Sequence, residues 1–501
     1  MPDKFKSWFP GQEKIIQEVQ EAEQRFIGQV VPTGGGKTAC YLAAALLNQK
    51  RTLILTATKG LQDQLEADFA GVVCIVKGRS AYQCRLAPYS CQYGPCLWGY
   101  VCKFKDDGCP YYDAVEKARE SQIVVTNYSF WFANSPEKIG DFSLLVCDEA
   151  HAIDEILLDS QSIGLHQQEC SRFAAWPDKE QPPAYYFEWA AMLRKLVDEE
   201  IAYCRKEGKV EGKDAIELIN MQQKLSKLNT AKRRDWTVEF FPEKKRISFD
   251  MVWPVGNTVE NTLLRGIPNV LMTSATVNRK VFEVLGIRPD SYILTDYPSY
   301  FSAYRRPITY LPTVAMDRKI TNEGMNFWLS TIDNIIRPRL KFKGIVHTVS
   351  YDRALRVQAC SEFAGEMLLH DSRTLQGTVA RFKQMDAPAM LVSPSIVTGY
   401  DFPGDECRWQ IIGKLPFPDT RSKVAQARER IDPDYFLHKT MQAIIQACGR
   451  STRNTRDWSE CFIIDRHWSW FRRKYQRFIP QWFAEAMRDV ATVPEVFNGD
   501  E

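Results

Sequence analysis

Three stretches of this 501-residue sequence place complementary chemical groups at informative spacings. In VVPTGGGKTACYLAAALL (30–47), a glycine-rich turn opens onto a strongly helical run. Backbone N–H groups in such a turn, together with the helix N-terminus, can cradle phosphate oxygens, and glycine permits the close approach. Gly34, Gly35 and Gly36 would form the cradle, Lys37 would hold the β and γ phosphates of ATP, and Thr38 would ligate Mg²⁺. The strict pattern has glycine six residues before the lysine, where Val31 stands here, so this stretch alone also fits an ordinary glycine-rich turn. The second stretch, SLLVCDEAH, sets Asp148 and Glu149 behind an apolar strand. Phosphoryl transfer calls for such a pair, with Asp148 on Mg²⁺ and Glu149 orienting or deprotonating the attacking water. In the third, QACGRSTRN (446–454), Arg450 and Arg453 are three apart and share one helix face. Alone they fit a solvated basic helix; beside a phosphate site they would neutralise charge on the transferring group.

A fourth feature is metal-like. Of 14 cysteines, five fall between 84 and 109: Cys84, Cys91, Cys96, Cys102 and Cys109. Thiolates suit zinc or iron-sulfur clusters. Zinc modules usually carry paired cysteines two to four residues apart. Here the successive gaps are six, four, five and six residues, and no histidine lies within the segment. A four-iron cluster takes four thiolates, leaving one cysteine over.

The elements that must hold these groups are legible as short apolar runs at 51–58, 72–78, 122–128, 142–151 and 269–276, and again at 344–350, 389–395, 410–417 and 461–467. Runs that are apolar on both faces fit parallel strands covered by helices. The pattern predicts two α/β domains. Residues 152–235 are helical and charged, and WTVEFF and RISFDMVW, split by PEKK, read as a hairpin leading back to the strand at 269–276. The first domain is therefore expected to be interrupted twice. With 45% apolar and 25% charged residues, the chain is neither disordered nor fibrous. A net charge of +3 excludes recognition of nucleic acid by overall charge, so any basic surface must be local. The segment MPDKFKSWFPGQEK has no signal-peptide core and no run is long enough for a membrane span, which predicts a reducing, cytoplasmic setting.

In order and spacing, GGGKT, DEAH, SAT (274–276) and QACGRSTR resemble the superfamily-two helicases. KGRSAYQC (77–84), CPYY (109–112) and IVTGYDFPGDECRWQIIGKLPFPD (396–419) are similar to the iron-sulfur branch, the XPD and DinG-like helicases. The resemblance implies two RecA-like motor domains, with an iron-sulfur insertion and a helical arch in the first. The expected boundaries are motor domain 1 at 1–79, 113–151 and 236–300, the cluster domain at 80–112, the arch at 152–235 and motor domain 2 at 301–501. It further implies that Gln12 lies near the adenine, that Ser274, Ala275 and Thr276 couple nucleotide state to closure, and that Gly399, Asp401 and Gln446 approach the nucleotide from the inter-domain cleft. Arg450 and Arg453 become arginine fingers. Segments 56–65 and 126–130 would touch the DNA backbone, with Tyr128 standing where histidine is usual. Cys84, Cys96, Cys102 and Cys109 are the preferred ligands of a [4Fe-4S] cluster, with Cys91 the competitor for the middle pair.

The activity so implied is ATP-dependent unwinding with 5′ to 3′ movement, acting on single-stranded DNA and tailed or forked duplexes. The protein is expected to work as a monomer on DNA and to come from a prokaryotic or viral source. Two rivals are a translocase that moves without separating strands and a non-catalytic metal-binding scaffold.

Overall fold

The computed structural model describes residues 8–57, 59–106, 108–207, 212–317, 319–395, 400, 402–449 and 457–497. Two seven-stranded parallel sheets dominate it. The first contains β1 (Phe26–Val30), β2 (Thr52–Thr56), β3 (Cys74–Ile75), β4 (Ile123–Asn127), β5 (Leu144–Asp148), β9 (Asn269–Ser274) and β10 (Tyr292–Asp296), in the order β10-β1-β9-β5-β2-β4-β3. The second contains β11 (Ile308–Tyr310), β12 (Gly344–His347), β13 (Met367–Leu369), β14 (Met390–Ser393), β15 (Trp409–Ile412), β16 (Glu460–Ile463) and β17 (Met487–Asp489), in the order β13-β14-β12-β15-β16-β11-β17.

Strand periodicity explains why the central strands of the first sheet are apolar throughout. Successive side chains point to opposite faces. Leu53, Leu55, Leu145, Cys147, Val270 and Met272 enter one core cluster, while Ile54, Leu144, Val146 and Leu271 enter another on the opposite face. Neither face meets water, so alternation with polar residues is lost.

Between β5 and β9 the chain leaves this sheet. It forms β6 (Ile163–His166), two long helices at Pro183–Glu207 and Gly212–Thr230, and the hairpin of β7 (Trp236–Phe241) and β8 (Arg246–Met251). The hairpin is where the residues predict it, but β8 pairs antiparallel with β6, giving a separate three-stranded sheet under the helices. Its inward residues Val238, Ile247 and Phe249 share a core with Leu193, Val197, Leu218 and Leu225. Trp98, from the cysteine-rich segment, is buried in that same core, and the Arg205 guanidinium lies 5.4 Å from its ring centroid. No helix among the described residues is long and apolar enough to cross a membrane.

Candidate nucleotide site and cysteine cavity

Register brings the phosphate loop and the acidic pair together. On β1, Val30 is level with Ser274 of β9, and Asp148 of β5 is level with Thr273. The loop 31–36, the carboxylates and the Ser-Ala-Thr segment therefore all leave the sheet at its C-terminal edge, where parallel α/β sheets bind ligands.

Gly34 and Gly36 adopt φ of 76° and 75°, a left-handed conformation that favours glycine. The helix Lys37–Leu47 begins directly after Gly36 with no side-chain cap and no acid in its first turn. Its leading N–H groups are thus available to an anion. Gln12 is buried, and its Nε2 donates to the Gly35 carbonyl at 2.9 Å; a Cβ on Gly36 would collide with the same amide. Gln12 thus braces the loop.

Lys37 Nζ lies 3.6 Å from Glu149 Oε1. Asp148 is buried, accepting from the Tyr41 hydroxyl at 3.3 Å and from the Glu149 amide at 2.9 Å. Burial, followed by the neighbouring Glu149 charge, pushes its carboxyl up to about 6, while Lys37, the Glu149 amide and Tyr41 pull it down. A carboxylate desolvated in this way is a ready partner for a cation. Glu149 itself has φ 51°, a strained backbone for a residue with a side chain. Its Oε2 accepts from Ser274 Oγ at 3.3 Å and lies 3.2 Å from His151 Nδ1, and Ser274 Oγ and His151 Nδ1 are 2.7 Å apart.

The second sheet's unit closes over this edge through the helix Tyr435–Cys448. Gln446 Nε2 donates to Thr276 Oγ1 and Gln442 Nε2 to the Thr276 carbonyl, each at 3.2 Å. Trp482 Nε1 donates to the Ala275 carbonyl at 3.3 Å, and Ala275 is buried in the second unit's core cluster. Gln446 thus reaches the Ser-Ala-Thr segment, and Gly449 packs on Thr33 of the phosphate loop. Gly399, Asp401, Arg450 and Arg453 lie outside the described residues.

One expected DNA contact is corrected. Asn127 and Gln62, from the two segments expected on DNA, do meet, with Asn127 Nδ2 donating to Gln62 Oε1 at 3.4 Å. Tyr128, however, is 1% exposed and donates its hydroxyl to the Asp148 carbonyl at 3.1 Å. It supports the acidic pair from beneath and cannot reach a DNA backbone. Nothing in the sequence spacing marks the bond of Tyr41 to Asp148, because the two residues meet only across the fold.

All five clustered cysteines line one small cavity, together with Arg79, Arg85, Leu86, Gly94, Pro95 and Phe104, and no carboxylate or imidazole is among these residues. A Cβ on Gly94 would sit 3.6 Å from Cys96 Sγ and 3.7 Å from Cys84 Sγ. Cys91 is the most buried of the five; burial and its neighbours Cys109 and Cys84 push its thiol up to about 12. The donor set is thiol chemistry alone, which fits an iron-sulfur cluster. Among the described residues, no three His, Cys, Asp or Glu side chains are drawn together tightly enough to hold a single metal ion.

Two parallel sheets, with a phosphate loop on one facing a helix of the other, define a tandem RecA-like protein. Residues 9–166 match the DEAD/DEAH box helicase family and 343–486 the helicase C-terminal domain family. Solved XPD helicase structures share the fold over almost the whole chain: one has a TM-score of 0.63 at 14% identity, covering 97% of this chain and 98% of the other, and Xpd4 of S. tokodaii has 0.57 at 13%, covering 96% and 99%. Among curated proteins, the ATP-dependent DNA helicase YoaA of Escherichia coli K12 is 27% identical over 187 residues, 25% of this chain and 29% of its own length. YoaA of Haemophilus influenzae is 44% identical over 62 residues, 10% of each chain. The two matched models together span more than half of the chain, which belongs to the DEAD/DEAH box helicases; its fold is that of the XPD helicases.

Proposed function

We propose that the chain is an ATP-dependent DNA helicase that moves 5′ to 3′ on single-stranded DNA and separates tailed or forked duplexes. The observation that supports this most is the meeting of Lys37, Asp148 and Glu149 at one sheet edge, beneath a helix from the second unit that reaches Thr276 and Thr33. In this reading Gly34, Gly35, Gly36 and Lys37 hold the ATP phosphates, and Gln12 lies near the adenine. Thr38 and Asp148 would hold Mg²⁺, which neutralises phosphate charge when bound. Glu149 orients the attacking water and takes its proton. Gly399, Asp401 and Gln446 would approach the nucleotide from the cleft, and Arg450 and Arg453 would act as arginine fingers on the transferring phosphoryl.

Closure on ATP and reopening after hydrolysis would alternate the grip of the two units on the strand. We read 1–79, 113–151 and 252–300 as motor domain 1, 80–112 as the cluster domain, 152–251 as the arch and 301–501 as motor domain 2; the boundary expected at 236 moves to 252 because the β7–β8 hairpin pairs with β6 and not with the first parallel sheet. Cys84, Cys96, Cys102 and Cys109 would hold a [4Fe-4S] cluster, whose chemistry here is to cross-link a segment short of regular structure. The protein would work as a monomer on DNA in a reducing cytoplasm. ATP turnover with and without single-stranded DNA tests the motor reading: DNA-stimulated hydrolysis that disappears in Glu149→Gln is the expected result, and turnover unchanged by that substitution removes the assignment.

A further inference from the structure

The helix Tyr435–Cys448 is fastened to the acidic segment by side chains that phosphate chemistry does not require. Asp154, in the first turn of the helix Ile153–Gln161, accepts from Lys439 Nζ at 2.6 Å on Oδ1 and from the Tyr435 hydroxyl at 2.9 Å on Oδ2. The same ammonium donates to the His151 carbonyl at 2.9 Å. The pair is buried, with side chains 11% and 2% exposed for Lys439 and Asp154. Burying two ions gives back little net stability, because each loses its water, so a pair kept at a domain interface calls for a geometric reason.

That reason lies further along the helix. Tyr435 and Lys439 are one turn apart and fix both its rotation and its position along the axis. The next turns deliver Gln442 and Gln446 to Thr276, and the end of the helix delivers Gly449 to Thr33. Beside the fastening, both ring nitrogens of buried His438 and Oε1 of Gln442 have no hydrogen-bond partner among the described residues. Buried polar groups are seldom left so. The buried pair thus ties this helix to the acidic segment one turn before the glutamines that reach Thr276, where a pivot would sit.

We propose that Lys439, with Asp154 and Tyr435, is a positioning residue for nucleotide hydrolysis: the buried pair is the pivot that sets the register of the 435–448 helix against the acidic segment. This rests on the hydrolase reading above. Lys439 touches no reacting atom and acts through the His151 carbonyl and through its own helix.

The test measures kcat and KM for ATP, direct binding of a fluorescent ATP analogue, and thermal unfolding in the full chain. Lys439→Met is expected to lower kcat about tenfold or more while analogue affinity stays within about twofold, the split expected when an interaction acts after binding. Asp154→Asn combined with Lys439→Met should cost no more than the worse single change, because the two act as one unit. Tyr435→Phe removes one hydrogen bond and keeps the fold, so it reads the pivot even where Lys439→Met does not fold; about a threefold loss in kcat is expected. Wild-type kcat in folded Lys439→Met, full additivity in the double variant, or an unaltered kcat in Tyr435→Phe would overturn the proposal. A wild-type chain that binds the analogue without turning over ATP overturns the hydrolase reading itself, and the pivot's role with it.

Discussion

Gly449 stands so close to Thr33 that a Cβ built on it would lie 2.7 Å from Thr33 Oγ1 and 3.0 Å from its Cγ2. The contact joins the end of the 435–448 helix to the phosphate loop, with no room for a side chain between the two units. The φ of Gly449 is −87°, which any residue adopts, so the demand is one of space alone. Gly449→Ala is expected to hold the units apart and lower ATP turnover by about tenfold, equivalent to about 1.4 kcal/mol of barrier. Steady-state ATPase measurements, with thermal unfolding as a control, check it.

Lys37 and Glu149 face each other at 3.6 Å but are expected to fail differently. Lys37→Ala should abolish binding of an ATP analogue. Glu149→Gln should retain binding and lose turnover by roughly 10² to 10⁴, the range for a general base. Equilibrium binding and turnover, measured on both variants, separate the two roles.

Tyr128 reads as a support for Asp148. Tyr128→Phe leaves the Asp148 carbonyl without its hydroxyl donor and should cost about 1 kcal/mol in denaturant unfolding. Affinity for single-stranded DNA should not change, because the side chain is buried.

Iron content and visible absorption test the cysteine cavity. Serine at 84, 96, 102 or 109 should remove iron and colour, whereas Cys91→Ser should keep both. Loss at Cys91 with retention at Cys96 would exchange their roles.

Trp98 ties the cysteine-rich segment to the arch core. Trp98→Ala should cost about 3 to 5 kcal/mol, as for other large buried aromatics, and hydrogen exchange should localise the loss to the three-stranded sheet and its two helices.

What the sequence made legible was whatever is written in consecutive residues. Unbroken apolar runs announce β2, β4, β5 and β9, and the glycine-rich loop and the acidic pair follow their strands in the chain. β1 escapes such reading because Gly28 and Gln29 interrupt its apolar run. The structure explains both: a Cβ on Gly28 would lie 2.7 Å from Leu294 Cδ1, and buried Gln29 donates to the Ile15 carbonyl at 2.8 Å. The hairpin was visible as a hairpin, but its pairing with β6 is set by a core assembled from distant segments. Tyr128 illustrates the same limit at the site. Its place in the motif suggests DNA, and only the fold, in which Tyr128 opens the helix after β4 and β2 lies between β4 and β5, brings its hydroxyl to the Asp148 carbonyl.

Strand separation on a duplex with a single-stranded tail tests the central claim most directly. With ATP and Mg²⁺, the chain should release the strand from a 5′-tailed duplex and leave a 3′-tailed one intact, and Glu149→Gln should release neither. Duplexes that stay double-stranded while ATP is consumed would contradict the account.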